Sequence, residues 1–317
     1  MRSSLLDSFR FTAIVLLLAA HTAQEIGSPL GGYFGIKDFY HVSLGGIAVT
    51  IFLFVSGAGL ELMQRNAGYG YRQYIMKRLL RIYPVYYICL LGVIVCAVLI
   101  SWLDAGTISP HFPQFQKSEI ILLMTGFYAY AGRWGGPFLV TSWFIGLIMT
   151  LYLIYPFLGK MIRRSPHPAI IIILLTSVMV RLILGRYDIL PNRPLDWFPL
   201  CRVFEFSLGI YFVTIVRRSA LFILNGRCPA WMQKGMQYVN EISFPLFLLH
   251  YPLLYLIPAF TSRGIDPASS IAMYVTASCL LSRFVYTLDR KIPREAIMNC
   301  LGNLFPVSRQ QSSESVI

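Results

Sequence analysis

The first apolar stretch of the sequence carries three residues that could do chemistry, namely Asp7, Arg10 and His21. Arg10 and His21 are eleven residues apart, and at about 100° per residue both side chains would lie on the same face of a helix. Along the helix axis they would be about 16 Å apart. Ionisable residues in a membrane-length helix are costly unless they meet a polar interior, so this pair is a functional hypothesis.

The composition of the chain indicates a membrane protein with several spans. Hydrophobic residues make up 56% of the 317 residues and charged residues only 13%, whereas a soluble domain has about 25% charged residues. The net charge of +13 is spread between apolar runs, which is typical of residues that orient spans and argues against a nucleic-acid partner. The cysteines and histidines show no ligand spacing, so we predict no metal site.

The apolar runs predict an all-α fold, a polytopic transmembrane helix bundle of about eight to ten spans. The predicted spans are Leu5 to Ala23, Leu44 to Leu62, Ile82 to Leu103, Val140 to Leu158, Ala169 to Leu184, Leu200 to Val216, Ile242 to Phe260 and Ala268 to Leu288. A further apolar segment near 120–130 is too short to cross, so we predict a re-entrant or interfacial piece there. The transmembrane domain would cover 1–288, and 289–317 would form a polar, disordered cytoplasmic tail.

The positions of the basic residues predict the orientation of the spans. The densest basic cluster follows the second span and is typical of a cytoplasmic loop; it consists of Arg65, Arg72, Lys77, Arg78 and Arg81. With 120–130 not crossing, most other basic residues fall on the same side, so both termini would be cytoplasmic in a cell (inner) membrane. A cleaved signal peptide is the alternative for the first run, but Asp7 and Arg10 count against it.

Several short motifs follow one another along the chain. They are Arg10 and His21 with Asp7 ahead of them, Phe54 to Gly57, Arg78 to Pro84 (R-L-L-R-I-Y-P), Trp143 to Pro156, Arg202 to Gly209 and Ser243 to Pro252. The small residues that end F-L-F-V-S-G in the second span would also let helices approach closely. Together these motifs resemble the acyltransferase-3 family of integral membrane acyltransferases over nearly the whole chain.

The resemblance implies transfer of an acyl group, usually acetyl, from a coenzyme A thioester to a hydroxyl. Acetyl-CoA or another acyl-CoA would be a co-substrate, and no tightly bound cofactor is expected. The acceptor would be a glycan or a lipid-linked saccharide at the cell surface. Membrane lipid would surround the protein. Ile148 stands where many bacterial members that acylate surface glycans have a glutamate, which leaves the acceptor class open.

The donor's phosphates suggest a role for the basic residues of the R-L-L-R-I-Y-P motif. Arg78 and Arg81 can hold phosphate oxygens by charge-assisted hydrogen bonds, and Lys77 and Tyr83 would complete the donor site. The alternative is that the basic residues only anchor the helix at the membrane surface and that Tyr83 belongs to an aromatic belt.

The first helix would supply the remaining chemistry. Arg10 would contact the donor more deeply and be oriented by Asp7 one turn away. His21 would act as the general base that takes the proton of the acceptor hydroxyl. The alternative for His21 is a structural histidine.

Four later residues are assigned to acceptor binding, namely Trp143, Arg202, Glu205 and His250. The alternatives are that Arg202 and Glu205, three residues apart on one helix, neutralise each other, that His250 only hydrogen-bonds between helices, and that Trp143 only packs. Two other functions remain open, a transporter or channel that uses the intramembrane polar residues as a path, and a scaffold without catalysis. An enzyme would release free thiol from acetyl-CoA, whereas a transporter would show flux without it.

Overall fold

The computed structural model describes residues 4–36, 40–67, 70–105, 119–187, 189–190, 193–216 and 230–304. The helices are α1 (Ser4–Glu25), α2 (Leu44–Ala67), α3 (Tyr71–Ala105), α4 (Ile120–Thr125), α5 (Trp143–Arg164), α6 (Pro166–Tyr187), α7 (Pro194–Trp197), α8 (Pro199–Ile215), α9 (Ala230–Leu253), α10 (Leu256–Thr261), α11 (Pro267–Asp289) and α12 (Arg294–Leu304). Strands β1 (Tyr33–Ile36) and β2 (Tyr40–Ser43) pair antiparallel in a hairpin that no sequence pattern predicts.

Seven segments of the described chain are long and apolar enough to cross a membrane, which confirms the predicted polytopic helix bundle. They are Leu5–Glu25, Leu44–Gln64, Tyr71–Leu99, Val140–Arg164, Pro166–Tyr187, Pro194–Ile215 and Pro267–Asp289. The predicted span from Ile242 to Phe260 is not one helix, because α9 ends at Leu253 and α10 begins at Leu256. Within the predicted polar tail, 289–317, the structure has helix α12 at Arg294–Leu304, and residues 305–317 lie outside the described part of the chain.

The basic cluster after the second span is helical, so the prediction of a loop there is wrong. Arg65 lies in α2, and the other four residues lie in the first turns of α3, which begins at Tyr71 and not near Ile82. Apolar residues separate the basic ones in this stretch. Long Arg and Lys side chains can bury their stems beside such residues while their charged ends reach polar surroundings, so the helix continues through the cluster.

Three of the prolines inside helices, Pro84, Pro156 and Pro252, mark places where another part of the chain packs against the helix. Proline has no N–H, so the carbonyl four residues before it loses its helical partner. In each case a distant side chain donates to that carbonyl: Arg294 Nε to Leu80 before Pro84 (3.0 Å), the Tyr74 hydroxyl to Tyr152 before Pro156 (2.9 Å), and the Thr141 hydroxyl to Leu248 before Pro252 (3.1 Å). The polar groups that proline frees thus fix how these helices pack.

The segment near 120–130 does not cross as one helix, as predicted. It consists of α4 and a 3₁₀ helix at Tyr128–Ala131, both too short to span. Tyrosine hydroxyls of α3 donate to the last carbonyls of α4: Tyr83 to Thr125, Tyr86 to Leu123 and Tyr87 to Met124. These bonds satisfy carbonyls that a helix end leaves without intrahelical partners.

Helices α2 and α8 cross at two glycines, which confirms that the small residues of F-L-F-V-S-G permit close approach. A Cβ on Gly57 would overlap the carbonyl oxygen of Phe206, and a Cβ on Gly209 would overlap that of Phe54. Only residues without a side chain let the two backbones come this close. The crossing fixes α8, which carries Arg202 and Glu205, against α2.

Candidate active site

Helix α1 carries Arg10 and His21 as predicted, but the two side chains line different cavities. His21 lines a cavity with an empty volume of about 740 Å³, partly open to solvent, which we call the histidine cavity. Arg10 lines a second one of about 610 Å³, which we call the arginine cavity. The helix therefore presents one polar residue to each of two compartments.

The histidine cavity contains two imidazole rings whose centroids are 5.1 Å apart, those of His21 and His250. His21 Nδ1 lies 2.9 Å from Gln24 Oε1, and His250 Nδ1 lies 2.8 Å from the carbonyl oxygen of Phe247. Both oxygens accept hydrogen bonds, and a neutral ring that donates to them from Nδ1 carries its lone pair on Nε2. This is the tautomer that a general base acting through Nε2 requires.

The space beside His21 Nε2 is kept free by a glycine. A Cβ on Gly45 would lie 3.7 Å from Nε2, in ordinary van der Waals contact. His250 is almost completely buried, and its Nε2 has no hydrogen-bond partner among the described residues. Unsatisfied buried nitrogens are rare in proteins and can belong to catalytic groups.

Arg202 and Glu205 form the ion pair that the sequence gives as the alternative to acceptor binding, and a third residue joins them. Glu205 Oε1 lies 3.1 Å from Arg202 Nη1 and 3.0 Å from Arg181 Nη2, and all three side chains are largely buried. Arg202 also lies on the wall of the histidine cavity, with Nη2 3.4 Å from the carbonyl oxygen of Gly46. The sequence pattern misses Arg181 because its partner lies on α8 while it lies on α6, and no spacing rule joins them.

Aromatic residues line another part of the histidine cavity. The rings of Trp134 and Trp143 are stacked, with centroids 4.9 Å apart. The Arg193 guanidinium lies over the rings of Trp134 (4.8 Å) and Tyr33 (5.3 Å) and pairs with Asp196 at 2.9 Å. Partial burial raises the pKa of the Tyr33 hydroxyl.

Of this aromatic group, only Trp143 is predicted from the sequence. Arg193 has a φ of 57°, in the left-handed region that residues with side chains seldom adopt. That angle is a local mark of the site, and it is visible only in the structure.

The arginine cavity contains Arg10 and Arg81, with Ser56, Tyr152 and Ser243 also on its wall. Asp7 Oδ1 lies 3.1 Å from Arg10 Nη1, which confirms that the acid pairs with the arginine one turn away. Arg81 pairs with no carboxylate in the described part of the chain. The cavity wall therefore carries a positive charge that the described protein does not balance.

The remaining predicted donor residues line neither of these cavities. Arg78 is buried, with Nη2 2.9 Å from the Met63 sulfur and its guanidinium 5.9 Å from the centre of the Tyr152 ring. Lys77 is partly buried, and Tyr83 is engaged with α4 as described above. Arg78 and Arg294 still lie close enough to Arg81 to repel its charge, so they add to the positive potential there.

The two cavities share Phe247, which lines both. Its ring packs on Phe144 (centroids 4.7 Å apart) and Phe52 (5.7 Å), which lie on the arginine side. Its carbonyl oxygen accepts the hydrogen bond of His250 Nδ1 on the histidine side. One aromatic side chain thus belongs to the wall between the compartments.

These features define an integral membrane protein whose helices enclose two adjoining polar cavities. One contains a pair of histidines, and the other contains two arginines of which one has no carboxylate partner among the described residues. The sequence model of the acyltransferase-3 family, described as an acyltransferase domain, matches residues 4–226. The chain belongs to this family and is a membrane acyltransferase. No curated protein and no solved structure matches it. The matched region contains Arg10, His21 and Arg202, whereas His250 and Arg294 lie beyond it.

Proposed function

We propose that the protein transfers an acyl group, in the first instance acetyl, from a coenzyme A thioester to a hydroxyl of a glycan or lipid-linked saccharide. The observation that carries the proposal is the pair of histidines with free Nε2 lone pairs in a cavity that shares a wall with an arginine-rich one. Two substrates of different charge would be held on the two sides of that wall.

The arginine cavity suits the donor. Coenzyme A carries several phosphate charges, and guanidinium groups bind phosphate oxygens by charge-assisted hydrogen bonds. Arg81, without a carboxylate partner among the described residues, and Arg10, oriented by Asp7, would supply them. The pantetheine arm would then extend past Phe247 towards His21, over the axial separation of about 16 Å between Arg10 and His21.

In the histidine cavity, His21 would act as the general base. Its Nδ1–H is held by Gln24, so Nε2 would take the proton of the acceptor hydroxyl as the oxygen attacks the thioester carbonyl. His250 would contact the same hydroxyl from the other side, because its ring lies next to that of His21. The leaving thiolate takes the proton back, which gives an ester and free coenzyme A.

The aromatic group suits a saccharide acceptor. Binding sites for small molecules combine apolar and aromatic walls with a few placed polar groups, and Trp134, Trp143, Arg193 and Asp196 form such a set. The positive-inside pattern would place the arginine cavity towards the cytoplasm, where acyl-CoA is made, and the histidine cavity towards the outer face of the cell membrane. Membrane lipid would surround the spans.

The test is release of free thiol from acetyl-CoA by purified protein in lipid, with cell-surface saccharide supplied as acceptor. We expect His21→Ala to reduce acceptor-dependent thiol release by about 10²- to 10⁴-fold, the usual contribution of a general base. His167→Ala is the matched control, because His167 bonds the Tyr211 hydroxyl (2.8 Å) and lines neither cavity. A His21→Ala protein that works at the wild-type rate would contradict the assignment of the base.

A second measurement separates transfer from transport. Ester formed on the acceptor should equal the thiol released, mole for mole. Movement of acetyl-CoA or saccharide across the membrane without thiol release would contradict the proposed reaction.

A further inference from the structure

Attack on a thioester creates a negatively charged oxygen. Neither His21 nor His250, with its lone pair on Nε2, donates a hydrogen bond to that oxygen. We propose that the N-terminal end of α2 and the guanidinium of Arg202 together form the oxyanion site of this reaction. This inference rests on the proposed function, because it assigns a group to the transition state of that reaction.

The N-terminal end of α2 forms part of the wall next to His21. Ser43, Gly45 and Gly46 all line the histidine cavity. The N–H groups of the first helical turn have no partner within the helix, and Ser43 Oγ accepts the bond of one of them, Gly46 N–H (3.0 Å). The helix dipole adds partial positive charge at this end, which favours an anion.

Glycine at position 45 brings this helix end close to the base. The position of its absent Cβ is 3.7 Å from His21 Nε2, so a reacting atom in that space would touch both the backbone of α2 and the imidazole. A hydroxyl attacking there would place the thioester carbonyl between the base and the helix end.

Arg202 provides the second, independent indication of a ligand. Its side chain is only 6% exposed, yet Nε has no hydrogen-bond partner among the described residues. Nη2 contacts the carbonyl oxygen of Gly46, which holds the guanidinium beside the same helix end. A buried donor without an acceptor is expected where the acceptor arrives with the substrate.

The charge on Arg202 is only partly balanced. Glu205 Oε1 is shared between Arg202 and Arg181, so among the described residues Arg202 has no carboxylate of its own. Positive charge held in place before the reaction stabilises a developing oxyanion without reorganisation. Arg202, Glu205 and Arg181 together therefore keep a net positive charge in a fixed position. This charge would stabilise the carbonyl oxygen when it becomes negative.

The acceptor oxygen forms a bond to the thioester carbon, the hydroxyl proton moves to His21 Nε2, and the carbonyl π electrons move to the oxygen held by α2 and Arg202. When the tetrahedral adduct collapses, the carbonyl reforms, the carbon–sulfur bond breaks, and the thiolate takes the proton from the imidazolium.

The experiment compares Arg202→Gln with Arg181→Gln. Both substitutions remove one guanidinium from Glu205, but only Arg202 lines the cavity. We expect Arg202→Gln to lower kcat for acyl transfer by about 10²- to 10³-fold, as for loss of an oxyanion donor, with the KM for acetyl-CoA nearly unchanged. Arg181→Gln should lose less than about tenfold. An equal decrease of kcat in the two variants, or an increase in KM with kcat unchanged, would overturn the inference. Either result would show that Arg202, Glu205 and Arg181 have only a structural role.

A comparison of two inhibitors does not depend on whether the variants fold. With acceptor present, the wild-type protein should bind a trifluoromethyl ketone analogue of acetyl-CoA, to whose carbonyl carbon the acceptor hydroxyl can add, at least about 10²-fold more tightly than an inert thioether analogue. Equal affinities would overturn the oxyanion site. Absence of thiol release from the wild-type protein would instead contradict the proposed function, so the two failures can be told apart.

Discussion

Replacing Gly57 by alanine should destabilise the whole helix bundle. The new Cβ would overlap the Phe206 carbonyl oxygen and lie 3.0 Å from the Phe206 carbonyl carbon. Carbon atoms in contact rest about 3.5–4.0 Å apart, so α2 and α8 must separate by about 1 Å. Overpacking of this kind costs about 1–3 kcal/mol and occasionally more. The atoms that the new Cβ meets belong to the Phe206 backbone and cannot rotate away, so we expect a cost of about 3 kcal/mol.

The expected result is a lower melting temperature of the purified protein. At about 2–4 °C per kcal/mol for a chain of this order of size, Gly57→Ala should melt about 6–12 °C below the wild type. Tryptophan fluorescence during heating in detergent would report it. Gly92→Ala is the control, since no atom lies within 4 Å of a Cβ there, and it should be neutral or slightly stabilising.

The reciprocal glycine provides a sharper check. Gly209→Ala would clash with Phe54 at the same crossing, where its Cβ would lie 2.7 Å from the Ala58 nitrogen. Once one clash has separated the helices, the second should cost little, so the double variant should be less destabilised than the sum of the two single variants. The close crossing would be refuted if Gly57→Ala had the same melting temperature as Gly92→Ala. It would also be refuted if the decreases in melting temperature of the two single variants added fully in the double variant.

Three further results are expected. Gly45→Ala should fold normally but transfer acyl groups more slowly than Gly92→Ala, because its Cβ fills the space beside the base; equal rates in a thiol-release assay would contradict this. Phe247→Leu should release more thiol per ester formed, since a thinner wall admits water to the thioester; unchanged stoichiometry would count against a separating role. The pKa of Asp266 is lowered by hydrogen bonds from Ser269, first from its side chain and then from its backbone N–H, at the start of α11. Its capping contribution is therefore present above the usual carboxyl pKa and lost as pH falls through the lowered one, so the wild type should lose melting temperature more steeply than Asp266→Asn below about pH 4; parallel curves would show that the cap does not titrate.

The spacing of residues along the sequence predicts the helices well. It does not predict which helices or cavities each helix face contacts. The spacing of Arg10 and His21 correctly places both on α1, because residues eleven apart share a face whatever surrounds them. It cannot show that α1 passes two cavities, since their walls come from helices far away in sequence. Arg78 and Arg81 illustrate the same limit. They lie about 60° apart around α3, and only Arg81 lines the arginine cavity.

The acceptor side is the least predictable part of the site. Trp134 and Arg193 lie in connecting segments and Asp196 in the four-residue helix α7, where neither a period of 3.6 nor a charge pattern acts as a guide. Their arrangement comes from contacts across the chain, such as the guanidinium of Arg193 over the Tyr33 ring. The β1–β2 hairpin that carries Tyr33 was likewise not predicted, and it places Ser43 at the start of α2.

The break between α9 and α10 is part of how the histidine cavity is built. Pro252 frees the Leu248 carbonyl, and Thr141 from the cavity wall donates to it. Leu254 N–H bonds to Tyr251 instead of continuing the ladder, and the freed His250 carbonyl accepts the Tyr274 hydroxyl. With Phe247 accepting from the His250 ring, three carbonyls of this last turn have side-chain partners. An uninterrupted helix would bond the Leu248 and His250 carbonyls to its own N–H groups, so the irregularity that ends α9 frees these two for Thr141 and Tyr274.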